Sequence, residues 1–288
     1  MKILVTGANG YLGYGIVKQL LNDGLDVIAT DLSVTHIDNR AKCLECNIFH
    51  IDDPYEYFEN PDVVLHLAWR DGFVHNSDNH VLDLPLHFLF LKRLIDSGVN
   101  RVAVLGSMHE IGFFEGAINE DTPCKPMNLY GIAKNSLRDM IDLVSGQGKT
   151  QFQWLRGYYI VSDLQFGNSF FSKIVNAEKE GKDKFPFTSG ENQYDFLDYE
   201  DFCYQIAAAV EQDEVLGIIN ICSGKPEKLA DRVERFIREN HYKIKLGYGE
   251  FPDRAYDSKA VWGNDKKIRQ IICSKKRDSL TQGILYES

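Results

Sequence analysis

Residues 1–31 constrain the fold more than any other stretch. Lys2-Ile3-Leu4-Val5-Thr6 is a short apolar run that reads as a buried strand. It stops at Gly7-Ala8-Asn9-Gly10-Tyr11-Leu12-Gly13, and Ile16, Val17, Leu20 and Leu21 then recur at helical spacing among polar residues. Gly24 ends that helix, and Leu25 to Asp31 is a second strand closing on an acid. The order strand, glycine turn, helix, strand, acid is the half-fold that holds a dinucleotide. Gly7 permits the sharp turn, Gly10 lets backbone approach a pyrophosphate, and Gly13 lets helix and strand pack closely. Phosphates then meet the free N–H groups of a helix N-terminus.

The 288 residues suffice for one large α/β domain with a smaller lobe. A formal net charge of −10 argues against a nucleic-acid partner but leaves room for a small anionic ligand in a locally positive cleft. The chain enters its first strand directly, and no apolar run approaches a membrane span, so a cytoplasmic protein with no membrane partner is expected. Cys43 and Cys46 have metal-ligand spacing, but no second pair completes a tetrahedral set, and no metal is expected.

Further along, Cys43 to Ile48 reads as a weak strand whose end, Asn47 and Ile48, would pass near an adenine. Asp62 to Ala68 is a nearly continuous apolar strand, as parallel strands covered on both faces are. His66 within it reads as a hydrogen-bonded core residue. Trp69 to His80 is a loop at the sheet's C-terminal edge, where doubly wound folds carry their ligands; Arg70 and His75 lie on it. Val81 to Ile95 is a very apolar helix, Arg101 to Leu105 a strand ending at Gly106-Ser107, and Tyr130 to Val144 a helix. Thr150 to Arg156 is the next strand, and Tyr158 to Asn168 an aromatic loop. Helices follow near Asn168–Glu180, Glu200–Glu211, Pro226–Asn240 and Asn264–Cys273, with strands near Tyr194–Tyr199, Val215–Cys222 and Tyr242–Leu246. Residues 1–157 form the dinucleotide-binding domain, joined by sheet segments around 193–223; residues 158–192 and 224–288 form a substrate-binding lobe.

The chemistry centres on Tyr130 and Lys134, four apart and so on one helix face. A phenol of ordinary pKa near ~10 turns over poorly at neutral pH, and an adjacent ammonium favours its ionised form. Ser107, ending the neighbouring strand, can hold a substrate oxygen. The three together can move a hydroxyl proton while a nicotinamide exchanges hydride at the same carbon.

These motifs resemble the extended short-chain dehydrogenase/reductases, in the NAD-dependent epimerase/dehydratase family that acts on nucleotide sugars. The resemblance spans roughly residues 2–263 and implies a Rossmann-type doubly wound parallel sheet. In the glycine motif it places Gly7, Asn9, Gly10, Tyr11, Leu12 and Gly13 around the pyrophosphate, and Asp31 on the ribose. Leu67 and Ala68 fall beside the nicotinamide ribose, with Tyr130 and Lys134. Ser107, Tyr130 and Lys134 match the catalytic serine, tyrosine and lysine. Tyr194 to Asp201 matches a segment near the sugar nucleotide, with Tyr194 where arginine is common. Leu82 and Asp83 stand where a cofactor-contacting asparagine is usual. The resemblance also implies a homodimer through the helices at Val81–Ile95 and Tyr130–Val144.

The acid–base pair of a dehydratase is missing after Ser107: Met108 and His109 occupy its places, followed by Glu110 alone. The loop Gly106-Ser107-Met108-His109-Glu110-Ile111-Gly112 and the element Gly249-Glu250-Phe251-Pro252-Asp253-Arg254 resemble those of the family's small 4-ketoreductases, which implies NAD(P)-dependent reduction of the 4-keto group of a nucleotide-linked 4-keto-6-deoxyhexose, with Tyr130 as proton donor. A nucleotide-sugar 4-epimerase is the alternative; a 4,6-dehydratase and a non-catalytic NAD-binding regulator rank behind. Asp31 repels a 2′-phosphate, which points to NAD, with NADP left open. Arg70, His75, Ser107, His109, Tyr130, Asn168, Tyr194 and Arg254 are the candidate contacts to the nucleotide-diphosphate sugar, Arg254 as a diphosphate clamp.

Overall fold

Short apolar runs become strands of a parallel sheet, and the amphipathic stretches between them become its crossovers. The computed structural model describes residues 1–164, 169–253 and 257–286, with side chains through residue 277. In chain order the elements are β1 (Lys2–Thr6), α1 (Tyr11–Asn22), β2 (Asp26–Asp31), β3 (Lys42–Glu45), α2 (Pro54–Tyr57), β4 (Val63–His66) and α3 (Asn79–Asp96). Then come β5 (Arg101–Ser107), β6 (Gly116–Ile118), α4 (Leu129–Gly146), β7 (Gln151–Gly157), β8 (Tyr159–Val161), α5 (Phe170–Lys179), β9 (Lys184–Pro186) and β10 (Gln193–Asp198). The last are α6 (Tyr199–Glu211), β11 (Gly217–Ile221), β12 (Pro226–Lys228), α7 (Leu229–Glu239), β13 (Lys245–Gly247), β14 (Ala260–Gly263) and α8 (Lys266–Tyr286).

Seven strands make one parallel sheet in the order β11-β7-β5-β4-β1-β2-β3. The order reverses at β1, whose Val5 lies opposite Ala29 of β2 on one side and Leu65 of β4 on the other. Side chains alternate between the two faces. Ile3, Val5, Val27, Ala29, Leu65, Leu155 and Ile219 pack with Ile16, Val17 and Leu20 of α1 and Phe202 and Ile206 of α6. Leu4, Ile28, Val64, Val102, Val104 and Trp154 pack with Phe90, Leu91 and Leu94 of α3 and Leu137 and Ile141 of α4. This is a Rossmann-type doubly wound sheet, with the ligand crevice of such folds at the reversal between β1 and β4.

A second sheet runs β12-β10-β14-β6, with β8 also pairing β10, and β13 pairs β9 separately. Asp195 of β10 is fully buried and accepts four hydrogen bonds, from Ser223 N, Ser223 Oγ, Gly224 N and Gly263 N. One carboxylate thus ties β10 to the exit of β11 and to β14.

Several boundaries differ from the expectations. The strand expected over Cys43–Ile48 ends at Glu45, because Asn47 Oδ1 accepts from Phe49 N at 3.1 Å and starts a 3-10 turn, Ile48–His50. The aromatic loop contains β8, whose Tyr159, Ile160 and Val161 pair with Phe196, Leu197 and Asp198. Lys184–Pro186, in a turn-rich stretch, pairs with Lys245–Gly247, so the strand expected over Tyr242–Leu246 begins three residues later. The last helix continues to Tyr286. The strands at Tyr159–Val161 and Lys245–Gly247 are set by partners distant in sequence. Among the described residues no helix is long and apolar enough to cross a membrane.

Candidate active site

The glycine turn closes on backbone. Gly7 has φ +68°, and a Cβ there would lie 2.6 Å from Ala68 N. Gly10 N donates to Gly7 O at 3.2 Å and caps α1, and a Cβ on Gly13 would collide with Gly7 O. No side chain caps α1 and no acid occupies its first turn, so its leading N–H groups face outward as an anion cradle. Asp31, at the end of β2, accepts from Asn9 N at 3.0 Å and Leu32 N at 2.7 Å; Asn9 Oδ1 in turn accepts from His36 N at 2.8 Å. A carboxylate at the exit of β2 and an open helix N-terminus fit a dinucleotide's ribose and pyrophosphate. Leu67 N and Ala68 N donate to Thr6 O and Thr6 Oγ1, holding β4's exit against the turn. Tyr11 stacks obliquely on Tyr199 with ring centroids 5.4 Å apart, while Leu12 is half-buried against the core. Asn47 is engaged in capping and the Ile48 side chain is buried in the core, which leaves backbone as their contribution to any adenine site.

Ser107, Tyr130 and Lys134 come together above the C-terminal end of β5. Asn128 Oδ1 accepts from Gly131 N at 2.8 Å and starts α4, which aims Tyr130 and Lys134 at the sheet. The Tyr130 side chain is half-buried, its ring set among those of Trp69, His75, His80 and His109, with Ser107 beside its hydroxyl. Burial pushes the phenol well above its ordinary pKa; the Ser107 bond pulls it back and the Glu110 charge adds to the rise. Lys134 is buried, with Nζ donating to Leu105 O at 2.8 Å and lying 3.9 Å above the Trp69 ring. Burial lowers its pKa to about 7, against a smaller upward pull from Glu110. The expectation that the ammonium lowers the phenol's pKa is corrected here. Desolvation dominates both groups, and Lys134 is turned toward Leu105 and Trp69. The phenol is thus held as an acid.

The loop between β4 and α3 covers this centre. Tyr130 N donates to His75 O at 2.9 Å, and the His75 ring lies nearly parallel to the Tyr130 ring, centroids 5.8 Å apart. His109 packs on His75 at 4.3 Å and is half-buried, its pKa lowered by desolvation to about 4. Trp69 Nε1 donates to His80 Nδ1 at 3.0 Å, and the Trp69 ring stacks on His87 at 4.5 Å. His66 is a core residue, bonded to Thr6 Oγ1 at 2.8 Å and His87 at 2.9 Å, and burial holds both imidazoles neutral.

Glu110 lies behind the serine. It is fully buried and accepts from Ser107 N at 2.6 Å and from Trp154 Nε1 at 2.9 Å, with Arg156 at 3.4 Å. It therefore braces the serine turn and does not face the cleft.

Other candidates are placed differently from the expectation. Arg70 pairs with Asp83 through two hydrogen bonds, so its charge is compensated beside α3. Tyr194 is buried against Tyr159 at 4.6 Å and accepts from Asn192 Nδ2 at 3.0 Å, a packing role where the resemblance set a sugar-nucleotide contact. Asn168 and Arg254 lie outside the described residues. Trp69, His80 and Glu110 were missed as site residues. Only Glu110 carried a local signal, since Ser107-x-x-Glu110 has capping-box spacing.

Fold and site define a dinucleotide-dependent enzyme. Residues 3–222 match the family described as the NAD dependent epimerase/dehydratase family, and the chain belongs to it. It is 44% identical over 269 residues, covering 91% of this chain and 99% of the relative, to the dTDP-6-deoxy-L-talose 4-dehydrogenase (NAD(+)) of Aggregatibacter actinomycetemcomitans. In fold it resembles the UDP-glucose 4-epimerase of Thermotoga maritima, with TM-score 0.79 at 20% identity over 94% of this chain and 92% of that one. It also resembles the UDP-glucuronic acid 4-epimerase of Bacillus cereus, solved with UDP-glucuronic acid and NAD, with TM-score 0.78 at 19% identity over the same shares.

Proposed function

We propose that this chain is an NAD-dependent oxidoreductase acting at C4 of a nucleotide-linked 6-deoxyhexose, in the cell's direction a 4-ketoreductase. The observation that carries the reading is the gathering of Ser107, Tyr130 and Lys134 at the C-terminal end of β5, under the loop that carries Trp69 and His75. The 44% identical relative, named as a 4-dehydrogenase of a dTDP-6-deoxyhexose, supports the substrate class and the cofactor.

In this reading the turn from Gly7 to Gly13, with Asn9, Tyr11 and Leu12, holds the pyrophosphate, and Asp31 holds the adenosine ribose and excludes a 2′-phosphate. Leu67, Ala68, Tyr130 and Lys134 border the nicotinamide end, and Asn47 and Ile48 the adenine end. The nicotinamide, when bound, supplies hydride to the C4 carbon. Tyr130 Oη gives its proton to the C4 oxygen as the C–H bond forms, and Ser107 Oγ holds that oxygen in line. Lys134, fixed by Leu105 O and the Trp69 ring one helical turn from Tyr130, serves as a hydrogen-bond donor to the nicotinamide ribose. His75 and His109 pack on each other and on Tyr130 and wall the cleft against water. The exposed Val81, Leu82, Leu86 and Leu89 of α3, with Ile132 and Leu143 of α4, form the face through which two copies pair as a homodimer.

A second reading, the 4-epimerase, uses the same three residues and is favoured by the many epimerases that share the fold. The test offers the purified protein dTDP-4-keto-6-deoxyhexoses with NADH, and separately nucleotide hexoses with no reductant. Stoichiometric NADH loss in the first arm is the expected outcome. Interconversion of hexoses with no net change in cofactor would replace the reductase reading by the epimerase.

A further inference from the structure

The structure assigns to Tyr199 the role of a positioning residue for the dinucleotide: its hydroxyl sits inside the first turn of α1 and sets the geometry of the pyrophosphate cradle.

Gly15 N and Tyr11 O are four residues apart, the donor and acceptor of one rung of α1. The Tyr199 hydroxyl accepts from Gly15 N at 3.1 Å and donates to Tyr11 O at 2.5 Å, so the phenol bridges the two groups of that rung. A side chain entering the ladder of a helix bends it locally. Here the bridged rung is the first of α1, on the turn whose leading N–H groups face the anion. The phenol arrives from α6, whose residues are distant in sequence from α1 but packed beside it. Gly15 makes room for it: a Cβ there would lie 2.5 Å from Tyr199 Cε1 and 2.7 Å from the hydroxyl. The glycine series of the turn thus extends one residue type further, to Gly15, for a reason unrelated to phosphate.

Three features argue that this is more than packing. The hydroxyl is both donor and acceptor, so it fixes orientation as well as distance. Its pKa is raised by burial, which keeps the proton needed for the bond to Tyr11 O. The Tyr11 ring, on the same turn, packs on the Tyr199 ring with centroids 5.4 Å apart, so ring and hydroxyl of Tyr199 hold the turn together. The cradle is therefore gripped from α6, through both the hydroxyl and the ring of Tyr199.

The inference rests on the reading of the Gly7–Gly13 turn as a dinucleotide site. Tyr199→Phe keeps the ring and removes both hydrogen bonds. NADH and ADP-ribose dissociation constants, from calorimetry, should each rise about threefold to tenfold, the scale of one or two such bonds. The turnover number at saturating NADH should stay within about twofold, and the melting temperature without cofactor should change little. Gly15→Ala approaches from the other side: its methyl displaces the phenol, so NADH affinity falls similarly while α1 gains helix propensity. Two folded variants binding NADH as tightly as the parent would overturn the role of Tyr199. A parent that binds neither NADH nor ADP-ribose would overturn the dinucleotide reading itself.

Discussion

Replacing Lys134 with methionine should abolish turnover and yet stabilise the fold. The ammonium is buried, and its pKa falls from 10.5 to about 7. Between those values the unfolded chain holds a proton that the folded chain does not, so stability rises with pH there, and the whole penalty stands below about pH 7. At ~1.4 kcal/mol per pH unit the penalty is on the order of 5 kcal/mol. Methionine removes it and forfeits the bond to Leu105 O, about 1–3 kcal/mol, and the contact with the Trp69 ring, about 1 kcal/mol. A net gain of ~1–3 kcal/mol is expected near pH 6. The decisive measurement is the slope. Urea unfolding of the parent should gain on the order of 3 kcal/mol from pH 6 to pH 9 relative to Lys134→Met. Parallel pH dependences in the two proteins would refute the argument, because no other residue differs between them.

Three further outcomes are expected. Tyr130→Phe should lower turnover by about a hundredfold or more while NADH binding, measured by fluorescence, stays near the parent's. Asp31→Ala should raise the NADP-to-NAD ratio of kcat/KM by about tenfold or more and weaken NAD outright, since Asn9 N and Leu32 N lose their acceptor. Glu110→Gln should cost about 3–5 kcal/mol in urea unfolding, because Arg156 is left charged and buried beside a neutral amide.

The first half of the fold was readable because its signals are local. The run Lys2–Thr6, the glycines at 7, 10 and 13, and Asp31 each report on neighbours within a few residues. Tyr130 and Lys134 were legible as a pair for the same reason. What surrounds them was not. The loop carrying Trp69, His75 and His80 folds onto α4 through bonds such as Tyr130 N to His75 O, which no spacing rule contains. Arg70 looked available because its partner, Asp83, lies on a different element. The phenol's acidity was misjudged because helical spacing puts Lys134 on the same face but says nothing of burial, and burial governs both groups. The strand at Tyr159–Val161 exists only because Phe196–Asp198 is there to receive it.

The seam where Gly7 meets Ala68 limits how this protein can be altered. Since even a methyl group at position 7 would press on the neighbouring main chain, redesign of cofactor choice has no freedom on the turn itself. Any exchange of one dinucleotide for another has to be written into the side chains after β2, around Asp31 and His36, leaving the turn as it stands.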